Sequence, residues 1–331
     1  MPPLPFDVLA LLAGQGGAVA GRQLRALGRS RADVERWLRN RQLVRAAPDT
    51  FVDGASWRLT IDDAVARHGL LTAAALARAP DAVASHRSAT LLHGLPILGA
   101  VPSPEITRPL SGRALSRTRT HRVRFMPEPV SVGGLRVSGI ARTCIDVARG
   151  HGTEAGLAAA DAALAVGQVT VEQLRLEARN IDSMPGARAA RTVAGFADAR
   201  AESPLESVSR WRLHQAGVEP PVPQVRIWID HAEWRVDFCW PQLAVVGEAD
   251  GRGKYRDDPD AFWREKVRHR ELERAGFVVV RWFWRDTQNA ESFEPVARQL
   301  RSSFSRQVQR ARPLVSDHVH YSWDDLHRVR E

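Results

Sequence analysis

The run Glu233-Trp234-Arg235-Val236-Asp237-Phe238-Cys239-Trp240 is followed, after Pro241 and Gln242, by Leu243-Ala244-Val245-Val246-Gly247-Glu248-Ala249-Asp250. Successive side chains of a strand point to opposite faces. The first run therefore predicts a strand with Trp234, Val236, Phe238 and Trp240 on one face and Arg235, Asp237 and Cys239 on the other. The second predicts a buried strand over 243–250 with Glu248 and Asp250 on one side. A carboxylate within an apolar core strand is costly unless it is paired or coordinates an ion, and this singles out Glu248. Upstream, Val225 to Ile229 predicts a strand that turns at Asp230-His231-Ala232. Ser203-Pro204-Leu205-Glu206 opens a helix with a serine cap, a proline at the first position and a capping-box glutamate, and Gly217 closes it. Downstream, Asp258-Pro259 begins a long helix ending at Gly276, and Phe277 to Trp284 is an apolar strand. The order helix, three strands, helix, strand, helix predicts an α/β unit over 201–305, followed by a C-terminal tail over 306–331.

Asp237 and Glu248 are eleven residues apart, the reach of a strand, a tight turn and a strand, so neighbouring strands would bring them together. Two such carboxylates are hard oxygen ligands suited to Mg²⁺, with Asp250 as an extra ligand. Glu206 is read either as a cap alone or as a group orienting a water or a second metal, and Lys254 as a cation offsetting phosphate charge. Asp237 has a plainer reading as an edge-strand carboxylate paired to an arginine.

At the other end of the chain, residues 6–53 predict three short helices and a hairpin. Phe6 to Ala13 is apolar at helical spacing and runs into Gly14-Gln15-Gly16-Gly17; Arg22 to Leu27 is a second helix closed by Gly28. Ser30-Arg31-Ala32-Asp33 is a capping box for a third, with Val34, Trp37 and Leu38 as its apolar stripe. Arg31, Arg36, Arg39 and Arg41 stand on its other faces or just past its end. Two strands flank the turn Ala46-Ala47-Pro48-Asp49. Three helices and a two-stranded wing over 1–58 make a winged helix-turn-helix layout, whose third helix enters the major groove of DNA. The plainer alternative is a small helical bundle with a solvated arginine face.

Between these, 59–200 reads as a mixed domain. Thr60 to Arg78 is helical, short extended pieces alternate with turns from Glu105 to Gly139, and helices from Thr143 to Arg200 break at Gly167, Gly186 and Gly195. His86 and His93 are two helical turns apart but have no acidic or cysteine neighbour at ligand spacing, so they read as cap and packing histidines.

The 331 residues, 44% apolar and 26% charged, predict two or three globular domains and rule out a single disulfide-stapled module. No apolar run approaches the roughly 18 residues needed to span a bilayer, so neither anchor nor signal peptide is expected. Cys144 and Cys239 have no CxxC partner, which predicts a reducing, cytoplasmic setting. Residues 1–200 carry 26 arginines against 17 acidic side chains, and this excess is the whole net charge of +9. A polyanion would be attracted to that half first. Of 47 basic residues only Lys254 and Lys266 are lysine, a pointer to sites where a compact ammonium is needed.

Residues 203–286, with Ser203-Pro204-Leu205-Glu206, Val236-Asp237-Phe238, Val246-Gly247-Glu248-Ala249-Asp250-Gly251, Lys254-Tyr255, Glu265-Lys266 and Phe277 to Trp282, resemble the very-short-patch-repair-like endonuclease domains of the PD-(D/E)XK superfamily. The front of the chain, through its winged-helix layout and the segments Ser85-His86-Arg87-Ser88-Ala89 and His93-Gly94-Leu95, is similar to actinobacterial AbiEi-type antitoxins and transcriptional regulators. The first resemblance implies a restriction-endonuclease-like fold in which Glu206, Asp237 and Glu248 match the acidic positions and Mg²⁺ is the cofactor. The superfamily places lysine two residues after the second acid, and here that residue is Asp250. Either Lys254 or Lys266 takes its place or the site is inactive. The overall expectation is an α+β multidomain, DNA-binding protein whose C-terminal unit is a Mg²⁺-dependent endonuclease. The alternative is a non-catalytic AbiEi-type antitoxin and autorepressor, with a promoter and a toxin as partners.

Overall fold

The computed structural model describes residues 2–101, 103–112, 114–181, 183–251, 259–309 and 319–322, the side chains of 259–265 and 320–322 excepted. It is a mixed α/β multidomain protein, with thirteen α-helices and three sheets among the described residues. The chain divides into two compact units, Met1–Ala197 and Asp198–Glu331.

The first unit opens with α1 (Phe6–Gly14), β1 (Ala18–Ala20), α2 (Gly21–Ala26), α3 (Arg31–Arg39), β2 (Leu43–Ala47) and β3 (Thr50–Asp53). Helix α3 forms where the sequence places it. Ser30 Oγ accepts the Asp33 N–H at 3.1 Å, and Asp33 accepts the Ser30 N–H at 3.0 Å, so two otherwise orphan donors are satisfied. Trp37 is 3% exposed and packs with Val8, Leu12, Leu24, Leu43 and Phe51. The two strands expected to form a wing lie in a three-stranded sheet, because β3 pairs antiparallel with both β2 and β1. Ala18-Val19-Ala20 escaped the sequence reading because three small apolar residues show no alternation.

Next come α4 (Gly54–Leu59), α5 (Ala64–Arg78), β4 (Val83–Ala84), α6 (His86–Leu92), β5 (Glu105–Pro109), β6 (Arg119–Val123), β7 (Pro129–Val132) and β8 (Leu135–Ser138). The strands form a second sheet in the order β6-β5-β4-β8-β7. Helix α5 joins it to the first: Leu70, Ala73, Ala74 and Ala77 share one core with Ala18, Ala20 and Val52 on one side and Ile106, Leu135 and Val137 on the other. Segments 1–58 and 59–200 therefore share a hydrophobic core. Four helices complete the unit: α7 (Ile140–His151), α8 (Thr153–Ala165), α9 (Val171–Asn180) and α10 (Ala187–Phe196). Gly152, Gly167 and Gly186, all at positive φ, punctuate them, whereas Gly195 lies inside α10.

The second unit consists of α11 (Pro204–Gln215), β9 (Val222–Ile229), β10 (Ala232–Trp240), β11 (Val245–Asp250), α12 (Pro259–Arg274), β12 (Val278–Phe283), α13 (Ala290–Val308) and β13 (Val319–Ser322). The sheet runs β12-β11-β10-β9-β13; β11 and β12 are parallel and the other pairs antiparallel. The segment read as a tail thus supplies an edge strand. Trp234, Val236, Phe238 and Trp240 do not share one face. Trp234 donates Nε1–H to Glu271 on α12 at 2.8 Å and Val236 clusters with Leu272, whereas Phe238 and Trp240 cluster with Leu205 of α11 and Leu300 of α13. The faces exchange at Asp237, opposite Gln224, whose φ of 54° bends β9 as a bulge would.

Candidate functional site

Arg31, Arg36 and Arg39 are exposed on α3, and Arg41 is exposed just past its end. Arg36 is bound at 2.5 Å by Asp33 of its own helix, an exposed pair of little energetic weight that a stronger anion can replace. Arg45 on β2 lies 5.2 Å over the Phe51 ring and 3.8 Å from Glu35. A cavity of about 400 Å³, bordered by Arg25, Arg29, Arg31 and Arg45, separates this hairpin from α2 and α3. Guanidinium forks at this density suit phosphate oxygens.

In the second unit the carboxylates meet on the sheet. Asp237 lies one residue beyond the paired Phe238 and Gly247, and its Oδ2 accepts the Ala249 N–H at 2.9 Å, which ties it to β11 beside Glu248. Glu248 is 4% exposed, registers with Arg281 of β12 and accepts Nη2–H of Arg268 on α12 at 2.7 Å. Glu206 Oε1 accepts the Ser203 hydroxyl at 2.8 Å, and its Oε2 accepts the Glu202 N–H at 3.0 Å and the Gln224 amide at 2.8 Å. Gln224 sits between the registered pairs Val225–Val236 and Pro223–Phe238, opposite Asp237. One polar row, Gln224, Asp237, Glu248 and Arg281, therefore crosses four strands, and Glu206 joins it through Gln224 while completing its helix cap. Asp250 is half-buried at the end of β11 and Lys266 is exposed on α12. Lys254 lies outside the described residues. A cation taken up by Glu248 has to compete with Arg268 for the same carboxylate.

A third cluster, in the first unit, was not anticipated. Glu105, fully buried at the start of β5, accepts Nε–H and Nη2–H of Arg87 on Oε1 at 3.2 and 3.1 Å. Its Oε2 lies 2.9 Å from His151 Nε2 and 3.4 Å from His121 Nε2. The His121 ring stacks on His86 with centroids 3.5 Å apart, and His86 Nδ1 is 3.0 Å from Ser85 Oγ. Behind these groups, the Glu105 N–H donates to Ser88 Oγ at 2.7 Å, and Ser88 contacts His68 Nε2 at 2.8 Å. Burial pushes the His86 imidazolium down to about 3, so the ring is neutral at ordinary pH. Burial works against the Glu105 anion, but hydrogen bonds from His121 and His151 outweigh it and hold the carboxyl well below the usual range. His86 also has a φ of 49° at the first residue of α6, a strained backbone for a residue with a side chain.

The acid that His86 lacks in local sequence thus arrives from β5. The signal was present: Glu105 precedes Ile106 in a strand, as Glu248 follows Val246 and Gly247. His93, by contrast, contacts the Ser138 carbonyl at 2.8 Å and serves as the C-cap residue of α6. His86, Glu105 and His121 offer ligand atoms all within 4.8 Å of one another, the one group of three metal-ligating side chains at that spacing among the described residues.

Two proteins from strains of Mycobacterium tuberculosis, "Uncharacterized protein MT2308" and "Uncharacterized protein Rv2248", are similar to this chain. Each is 31% identical over 150 residues, covering 45% of this chain and 55% of the relative. The chain spans about half the length of the curated relatives it matches. No family model matches it.

Proposed function

We propose that this protein binds duplex DNA through its first sixty residues, read as a winged helix, and that the second unit is a restriction-endonuclease-like fold that hydrolyses DNA with Mg²⁺. The observation carrying the reading is the exposed arginine set Arg31, Arg36, Arg39 and Arg41 on and after a helix anchored by buried Trp37. The helix order and the pairing of β3 with β1 and β2 agree with a winged helix, whose third helix reads the major groove. Support for the second part is the polar row across β9 to β12.

In this reading Asp237 and Glu248 hold the metal and Asp250 adds a ligand. Bound Mg²⁺ would supply a hydroxide nucleophile at neutral pH. Glu206 fixes Gln224 and the entry of α11, and Lys266 or Lys254 offsets charge on the scissile phosphate. The Glu248–Arg268 pair, together with Asp250 where a lysine is usual, favours a second reading: a non-catalytic repressor of the AbiEi type that binds its own promoter and pairs with a toxin. No helix among the described residues is long and apolar enough to cross a membrane. We place the protein in the cytoplasm with DNA as its partner.

The test uses the full chain with labelled duplexes and supercoiled plasmid, in Mg²⁺ and in EDTA, over a salt series. Duplex binding should weaken steeply with salt, and replacing Arg36 or Arg39 with alanine should lower the log–log slope by about one each. Absent or salt-independent binding refutes the DNA reading. Cleavage in Mg²⁺ but not EDTA supports the nuclease; promoter-specific binding without cleavage selects the repressor.

A further inference from the structure

Glu105, His86, His121 and His151 have no role in the DNA reading, yet the fold assembles them from β5, the start of α6, β6 and the end of α7. We propose that His86, Glu105 and His121 bind a divalent transition-metal ion of the zinc class. Two imidazoles and one carboxylate are a donor set for zinc, cobalt or iron rather than for Mg²⁺, which prefers oxygen alone.

Three features distinguish the cluster from an ordinary buried ion pair. The first is orientation from behind. Ser85 Oγ lies 3.0 Å from His86 Nδ1 and holds the ring from behind, and Arg87 grips Oε1 of Glu105 so that Oε2 is presented to the imidazoles. Such supporting hydrogen bonds fix the tautomer and rotamer of metal ligands. The second is space for the His86 edge. A methyl group at Gly150 would lie 2.9 Å from Cδ2 and 3.5 Å from Nε2 of His86, so only glycine keeps that edge of the ring clear. The third is strain. His86 holds a left-handed backbone conformation, and such conformations persist where the surroundings over-determine the residue, as at ligand sites. His151, on Oε2 of Glu105, is placed as a fourth donor or as the group that hands the carboxylate over when the ion enters.

The site belongs to the first unit and is independent of the carboxylate row, so its failure leaves the nuclease reading untouched. The experiment strips the full chain with a chelator, then titrates it with Co²⁺ while following visible d–d absorption, and finally adds Zn²⁺. One equivalent of Co²⁺ with tetrahedral-type bands, displaced by Zn²⁺, is expected. Zn K-edge absorption of the wild-type chain should show at least two imidazoles. His121→Ala should weaken Co²⁺ binding by at least about tenfold, and Gly150→Ala, which leaves every ligand in place, should weaken it also. If His121→Ala fails to fold, Gly150→Ala and the wild-type absorption spectrum still decide the matter. Absent Co²⁺ bands, a zinc shell of oxygen alone, or a folded variant that binds as tightly as wild type overturns the proposal.

Discussion

Asp237 and Glu248 meet across one strand turn, whereas His86, Glu105, His121 and His151 are gathered from four separate elements of the first unit. The two clusters differ in chemistry as well. On the sheet of the second unit, carboxylates are tied to a backbone amide, an arginine and a glutamine. In the first unit a single carboxylate is shared by an arginine and two imidazoles. Local spacing reveals the first kind of site and conceals the second, since sequence distance says little about which strand ends converge.

Removing the central anion from the buried cluster should have the largest effect. Glu105→Ala leaves Arg87 with its charge uncompensated and strands His151, and should cost about 3–5 kcal/mol of stability, read as a lower urea midpoint. A loss below about 1 kcal/mol would mean the cluster is not the coherent network described. In the second unit, Glu248→Gln keeps shape and removes charge. If the row holds Mg²⁺, DNA cleavage should fall by at least about a hundredfold, equivalent to about 2.7 kcal/mol, with DNA binding unchanged. Equal cleavage by the variant sinks the metal role of Glu248.

Acid should separate the two regions next. His86 has a folded pKa of about 3 against about 6.5 in the unfolded chain, so between these values the unfolded state binds more protons. Its contribution is complete above pH 6.5 and erodes as pH falls toward 3, by about 2 kcal/mol at pH 5. Glu105, whose pKa is depressed, adds a further loss only once pH drops below its ordinary 4.5. Urea melts at pH 7 and pH 5 should show the difference, and His86→Gln should flatten it; an unchanged pH slope in that variant breaks the assignment. The smallest effect is expected at the cap of α11. Ser203→Ala removes the acceptor for the Glu206 N–H and should lower stability by about 1 kcal/mol in thermal melts. A cost above about 3 kcal/mol would show that Glu206 anchors more than a helix end.

Some elements were legible because their signals are local. The capping box Ser30 to Asp33 starts α3 and the Ser203 cap starts α11, where Glu206 accepts the Glu202 N–H instead of the Ser203 N–H, and the runs before Trp240 and after Leu243 give β10 and β11. Others needed tertiary context. Alternation alone places Trp234 and Phe238 on one face, but the bend opposite Gln224 sends them to different helices. His86 carried no ligand signal, because its acid is nineteen residues ahead on another strand and its stacking partner, His121, is further still. Val319-His320-Tyr321-Ser322 is too short to declare itself a strand before β9 offers it an edge.

That last pairing has a consequence for how the protein is made. Val319 registers with Ile229 and Ser322 with Arg226, so the outer rim of β9 waits for a segment synthesised about ninety residues later. During that interval the rim presents unpaired amides and carbonyls, with Ile227 and Ile229 in the same strand, a template for joining another chain. Closing so long a loop is slow compared with forming the β9–β10 hairpin. Nascent or truncated chains that stop before Val319 should therefore be the aggregation-prone species, and a holding chaperone would find its target at this rim.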